Sequence, residues 1–109
     1  MNKLKVIDIG HSNLSINAAM LDLETKISQL NFEGDYKVVK VIFGHGSGAL
    51  KQTIKDWIKE QEGRFKAIIY GEDYNVFNKV AVDMRSECKL RDDHDFGRKN
   101  SGILYIWFW

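Results

Sequence analysis

The stretch from Val38 to Lys51 constrains the fold of this chain more than any other segment. It opens with a run of β-branched and aromatic residues, interrupted only by Lys40, which favours a strand. The run ends in Gly44-His45-Gly46-Ser47-Gly48, after which the spacing of apolar residues becomes helical. Glycines let backbone N–H groups approach a ligand, and the positive end of a helix dipole favours an anion. This strand, glycine-rich turn and helix start therefore predict an anion-binding site.

Apolar periodicity elsewhere predicts further strands and helices. Ser15 is a good N-cap for a first helix because its hydroxyl can accept from free N–H groups, and Gly34 is a stop signal. Asp73 is the expected cap of a third helix that carries Val76, Phe77, Val80, Ala81 and Met84. The predicted strands are Leu4–Ile9, Tyr36–Phe43, Phe65–Tyr70 and Ile103–Trp109, and the first two helices run from Ser15 to about Leu30 and over about Ala49–Gln61.

The order of these elements predicts an α/β fold. It is a small two-layer or three-layer β-α-β-α-β-(α)-β sandwich with a mixed four-stranded sheet. The last strand is apolar throughout, so we expect both of its faces to be covered. A length of 109 residues, 44% hydrophobic and 28% charged, fits one domain over 1–109, and the absence of proline argues against an interdomain linker.

The composition also limits the expected compartment. No apolar run approaches the roughly 20 residues that a membrane helix needs, and the N-terminal stretch lacks the apolar core of a signal peptide. The single cysteine, Cys88, cannot form an internal disulfide. We therefore expect a cytoplasmic protein that does not engage a membrane.

Charge is distributed unevenly along the chain. The net charge is +1, but residues 37–66 carry seven basic and three acidic side chains, giving +4 around the glycine-rich turn and its helix. Residues 1–36 and 67–84 each sum to −2, and 85–109 sum to +1. Lys51, Lys55 and Lys59 form a basic stripe on the second helix, which is usual for a solvated face and also suits a polyanion.

Two motifs resemble those of the Smr (small MutS-related) domain family. The family's His-Gly-x-Gly motif stands here as His45-Gly46-Ser47-Gly48, between a β-run and a helix that opens with Leu50 and Lys51. The family's Leu-Asp-x-His motif corresponds to Ile7-Asp8-Ile9-Gly10, so Gly10 fills the histidine slot and His11 comes one residue late. The resemblance covers about residues 4–70 and the last strand. Residues 71–101 form a partly helical insertion that is longer than the family's usual connection.

The resemblance implies nucleic-acid binding, with endonuclease activity on DNA or RNA as the associated chemistry. It implies catalytic roles for His45, Asp8 and His11, because phosphodiester cleavage needs a group that activates the nucleophile and charge stabilisation at the phosphate. Asp8 could orient a histidine, act as a base or hold a divalent ion, for which Mg²⁺ is the candidate. The candidate phosphate contacts are Gly46, Ser47, Gly48, Lys51 and Lys55.

An alternative function stays open beside this one. Because side chains alternate along a strand, a strand that continued past Asp8 would point His11 away from it. The chain would then be an inactive module that binds phosphate or nucleic acid, or a protein partner. His11 is more typical of a turn residue than of a catalyst in this register.

Two further clusters have structural interpretations. Asp92-Asp93-His94-Asp95 carries metal-ligand atoms without a recognised ligand spacing, which favours a solvated loop. The aromatic residues Tyr105, Trp107 and Trp109 share one strand face and favour a core or partner contact over base stacking.

Overall fold

The computed structural model describes residues 4–11, 13–46 and 48–109. Within them, strands and helices alternate up to the last strand. A 3₁₀ turn over Gly71–Asp73 separates the third strand from the third helix. The strands are β1 (Leu4–Asp8), β2 (Val38–Ile42), β3 (Ala67–Tyr70) and β4 (Ile103–Trp107), and the helices are α1 (Ile16–Glu33), α2 (Ala49–Lys59) and α3 (Lys79–Cys88).

The four strands form one mixed sheet in the order β1-β2-β4-β3. β1 and β2 pair in parallel, whereas β4 is antiparallel to both of its neighbours. Consequently β1, β2 and β3 all end, and β4 begins, at the same edge of the sheet. We call this edge the carboxyl edge, and it positions the candidate site.

Both faces of the sheet are covered, which gives three layers. One face of β1, β2 and β4 packs against α1 and α2 through residues such as Leu23, Ile27 and Ile54. The opposite face packs against α3 and its flanking segments, where Ala81 and Met84 are fully buried. All five residues of β4 are buried, as its uniformly apolar sequence predicts.

The two predicted helix boundary signals act at α1. The Ser15 hydroxyl accepts a hydrogen bond from the Ala18 N–H at 3.2 Å, and Gly34 closes the helix in the left-handed conformation at φ 75°. Among residues 4–11, 13–46 and 48–109, no helix combines the length and apolar character needed to cross a membrane.

The predicted start of the third helix is wrong. Asp73 ends the 3₁₀ turn instead, and α3 begins six residues later with Asn78 as its N-cap. The Asn78 side chain accepts from the N–H groups of Val80 and Ala81, at 3.1 and 3.2 Å. Phe77 precedes the helix and is 93% exposed. Helical spacing alone could not distinguish this exposed connection from a helical turn.

The charged segment around Asp93 is a solvated loop only in part: Asp92 and His94 are exposed, whereas Asp93 and Asp95 pair with a residue of the sheet. Lys40, only 8% exposed on β2, forms ion pairs with Asp93 and Asp95. Asp93 also accepts from the Tyr105 hydroxyl. Burial by itself would lower the pKa of Lys40, but hydrogen bonds and the charges of the two carboxylates raise it. This network ties the segment to the sheet face opposite α1.

The last aromatic residues divide between core and surface. Tyr105 and Trp107 are buried in the layer beneath α3, as the core interpretation predicts. Trp109 lies beyond the end of β4, is 72% exposed, and donates from its indole N–H to the Gly63 carbonyl at 3.3 Å. It therefore does not share a strand face with the other two.

Candidate functional site

A cleft of about 560 Å³ lies at the carboxyl edge. Its walls come from the turn after β1, the turn after β2, the first turn of α2 and the turn that precedes β4. The turn after β1, the continuous segment from β2 into α2 and the turn before β4 are distant in sequence, and the strand topology brings them together. The lining includes Gly10, His11, His45, Gly46, Gly48, Lys51 and Ser101.

Asp8 and His11 form a pair at the end of β1. The strand ends at Asp8, so the chain has already turned at His11, and this side chain does not point away from Asp8. Asp8 Oδ2 lies 2.7 Å from His11 Nδ1, while Asp8 Oδ1 accepts from the N–H groups of Gly10 and His11 at 3.0 and 3.2 Å. Burial alone would raise the pKa of Asp8, but the bonds from the His11 ring and the two amides lower it. This carboxylate therefore fixes both the turn and the imidazole.

Close backbone contacts explain why position 10 is a glycine. A Cβ at Gly10 would lie 2.6 Å from the carbonyl carbon and oxygen of Phe43. The Gly10 N–H also donates to the Ile42 carbonyl at 3.1 Å. A histidine at position 10 is therefore incompatible with this approach of the two strand ends.

A second close contact joins the turn after β2 to the start of β4. The N–H groups of Phe43 and Gly44 both donate to the Gly102 carbonyl, at 2.9 and 3.0 Å. A Cβ at Gly102 would meet the Gly44 backbone at 3.0 Å. The floor of the cleft is therefore built from tightly packed main chain.

The glycines of the turn after β2 differ from Gly10 and Gly102, because a Cβ added to them would meet no other atom within 4 Å. Gly44 and Gly48 have φ values of 80° and 88°, which favour glycine, and a Cβ at Gly46 would meet nothing within 4 Å. Gly48 is the N-cap of α2 and provides no side-chain capping bond. Ser47, a predicted phosphate contact, lies outside the described residues. The open surface of the turn and the start of α2 thus face the cleft together.

His45 is exposed at the centre of this edge. Its Nδ1 lies 3.2 Å from the Ser101 hydroxyl, which belongs to the turn before β4. Sequence patterns gave no direct indication of this contact, because residues 45 and 101 come together only through the pairing of β2 with β4. Since His45 and His11 line the same cleft, the structure brings the two histidine regions together.

The two predicted phosphate-binding lysines each have an internal partner. Lys51 Nζ forms an ion pair with Glu72 Oε2 at 2.9 Å and lies 5.9 Å from the centre of the Phe43 ring. Lys55 Nζ lies 5.6 Å from the centre of the Tyr70 ring. Burial would raise the pKa of Glu72, but Lys51 and, more weakly, Lys55 lower it. Glu72 follows β3 and has no motif around it, so sequence reasoning missed it.

No cluster of metal-ligand side chains occurs in the part of the chain that the structure describes: no three His, Cys, Asp or Glu residues there are placed to share an ion. The acidic run at 92–95 is used differently, because Asp93 and Asp95 pair with Lys40.

A comparison with solved structures identifies the architecture. The Smr domain of MutS2 from Thermus thermophilus is similar, with a TM-score of 0.61 over 96% of this chain and 98% of that chain, at 15% sequence identity. This chain has an Smr-like fold. No protein-family model matches the sequence, and no curated protein does. The likeness confirms the expected mixed α/β architecture.

In this Smr-like fold, the histidine that comes one residue late in the sequence still contacts Asp8. Position 10 is closed to a side chain, yet the next residue turns back onto Asp8. An acid–histidine pair is therefore present at the end of β1, with a geometry that the linear motif does not predict.

Proposed function

We propose that this Smr-like domain binds nucleic acid through its phosphate backbone at the carboxyl edge. The observation that carries the proposal is the shared cleft, in which the open glycine turn and the start of α2 lie beside His11, His45 and Lys51. Backbone N–H groups at a helix start and a lysine ammonium are ordinary phosphate ligands.

The chemistry of the lining supports phosphate contacts rather than base reading. Lys51, which Glu72 holds in place, supplies an ammonium group, and the histidines can donate from ring nitrogens. Contacts of this kind position a strand without selecting its sequence. We therefore expect binding that depends strongly on salt and weakly on base composition.

A specific observation also favours phosphodiester cleavage as a second candidate function. With Nδ1 of His11 held by Asp8, Nε2 is the ring nitrogen left to exchange a proton. In the proposed step, His11 takes a proton from the attacking hydroxyl or water as its oxygen forms a bond to phosphorus. The bond to the leaving oxygen then breaks, and a proton is returned to that oxygen. Lys51 and the turn would stabilise the charge on the phosphate during this step.

The first experiment measures binding. Fluorescence anisotropy with labelled DNA and RNA strands, at several salt concentrations, compares wild type with Lys51→Gln and with Lys59→Gln as a matched control. Lys59 lies at the far end of α2, away from the carboxyl edge. We expect Lys51→Gln to weaken binding and Lys59→Gln to leave it nearly unchanged. Equal effects of both substitutions, or no binding by wild type, would refute the assignment.

Cleavage is assayed on supercoiled plasmid and on a structured RNA, with Mg²⁺ and with EDTA. The variants are His45→Ala, His11→Ala and Asp8→Asn, of which the last keeps an oxygen for the turn amides but loses the charge. If the pair is catalytic, each variant lowers cleavage while far-UV circular dichroism stays unchanged. Cleavage that persists in all three would indicate a contaminant. Binding without cleavage by wild type would leave the non-catalytic module.

A further inference from the structure

A second cleft adjoins the first at the carboxyl edge. It has a volume of about 630 Å³ and is lined by His45, His94, Asp95, Arg98, Lys99 and Asn100. His45 lines both clefts, so the two are contiguous around its side chain. All the other lining residues come from the segment that precedes β4, which carries no recognised motif.

The positive charges of this second cleft are available to a ligand. Arg98 and Lys99 are exposed, and within the described ranges neither makes an ion pair with a carboxylate. The one acid in the lining, Asp95, is already paired with Lys40. Burial would raise the pKa of Asp95, but the bonds from Lys40 and Asn100, with the nearby charge of Arg98, lower it. The surface is therefore cationic.

Hydrogen bonds hold this segment in a defined position. The Arg98 N–H donates to the Asp95 carbonyl at 3.1 Å, and the Gly97 N–H donates to the Tyr74 carbonyl at 2.8 Å. Asn100 accepts from the Gly102 N–H at 3.0 Å through its side chain. The two cations are thus presented on a segment that is fastened on both sides, and their placement is fixed relative to His45.

We propose that one nucleic-acid strand runs through both clefts, so that Arg98 and Lys99 bind phosphates next to the one held at the glycine turn. This inference rests on the proposed function. Cations on both sides of His45 suit a continuous phosphodiester chain, whereas a single phosphate group would occupy only one of the clefts. The ligand is therefore a polynucleotide strand bound at two or more consecutive phosphates, and not a mononucleotide.

The test compares two double variants of equal charge. Arg98→Gln/Lys99→Gln removes the second cleft's cations, and Lys37→Gln/Lys59→Gln removes two exposed lysines near the opposite edge of the sheet. Affinity is measured by fluorescence anisotropy against salt, for single-stranded DNA, for the same sequence as RNA, for a duplex and for a dinucleotide.

We expect the Arg98→Gln/Lys99→Gln variant to bind the longer strands more weakly. The slope of log affinity against log salt should fall by about 1.4, or about 0.7 for each lost phosphate contact on a single strand. When salt is raised from about 50 to 200 mM, the factor by which affinity falls should therefore be about 7-fold smaller for the variant than for wild type. Dinucleotide binding should be unchanged, and the control variant should keep the wild-type slope. The comparison of DNA, RNA and duplex identifies the kind of strand.

Failure of this inference is distinguishable from failure of the proposed function. If wild type binds strands and Lys51→Gln weakens binding, but Arg98→Gln/Lys99→Gln matches its control, the second cleft is not part of the track. If wild type binds no nucleic acid, the proposed function and this inference both fail. A phosphorylated peptide is measured beside these probes, and its preferential binding over every nucleic acid would likewise overturn both.

Discussion

The close contact between Gly10 and Phe43 makes an unusual prediction about a conservative substitution. In Gly10→Ala, the new Cβ would lie 2.6 Å from the Phe43 carbonyl, well inside an ordinary van der Waals contact of 3.4–4 Å. Relief requires the two strand ends to separate by about 1 Å, and overpacking of this kind typically costs about 1–3 kcal/mol. In Gly46→Ala the Cβ meets nothing within 4 Å, and φ there is not positive.

The same chemical change should therefore have opposite effects at two positions of one site. Gly46→Ala should leave the free energy of unfolding unchanged or raise it by up to about 1 kcal/mol, because alanine restricts the unfolded chain. Gly10→Ala should lower it by about 1–3 kcal/mol. With an unfolding entropy of about 2.1 cal/mol/K per residue, this loss corresponds to a fall in Tm of about 4–13 °C.

Thermal and urea denaturation, followed by far-UV circular dichroism, would measure both variants. The exchange Gly10→His/His11→Gly, which moves the histidine to the family's motif position, should be destabilised at least as much as Gly10→Ala. If Gly10→Ala is as stable as Gly46→Ala, the steric explanation for the shifted histidine is wrong. If the exchange variant is as stable as wild type, position 10 can accept a side chain after all.

Three further predictions concern the ion pairs. Lys40→Met should lower the free energy of unfolding by about 3–5 kcal/mol in urea denaturation, because the Asp93 carboxylate, which is 5% exposed, loses its cation. A loss below about 1 kcal/mol would contradict this. The pKa of Asp95 is lower in the folded state than its ordinary value of 3.8, so the ionised carboxylate stabilises the folded protein above about pH 4. This stabilisation is lost as pH falls through the folded pKa. The difference in unfolding free energy between wild type and Asp95→Asn should therefore shrink between about pH 5 and pH 2, and a constant difference would refute the linkage. Glu72→Gln removes the carboxylate partner of Lys51, so nucleic-acid strands should bind about 2- to 5-fold more tightly in an anisotropy titration. This range is expected for a partly exposed ion pair worth up to about 1 kcal/mol. Weaker binding would show that Glu72 positions the lysine.

Local signals predicted most of the fold. The hydroxyl of Ser15, the left-handed Gly34 and the uniformly apolar β4 each depend on chemistry within a few residues. The strand, turn and helix start between Val38 and Lys51 are also where the sequence pattern places them. Those features followed from the sequence because their causes are local.

Features that depend on remote contacts could not be predicted in this way. The Asp93 side chain is buried where it pairs with Lys40 of a distant strand, which no pattern near residue 93 reveals. The direction of His11 depends on the exact end of β1, where the Asp8 carboxylate holds the turn and Gly10 lies close to Phe43. In the second cleft, the position of Arg98 depends on the pairing of β4, and its own neighbours in sequence give no indication of it.

The position of β4 has a consequence for how the protein folds. This last strand lies between β2 and β3, so Val38 pairs with Trp107 across most of the chain length. Pairings so remote in sequence cost loop-closure entropy before their contacts form, and they slow the search for the native state. Until β4 inserts, no strand lies between β2 and β3, and the cleft lacks the wall that Ser101 contributes. The proposed binding surface should therefore be complete only once β4 has joined the sheet, with no binding-competent state before that.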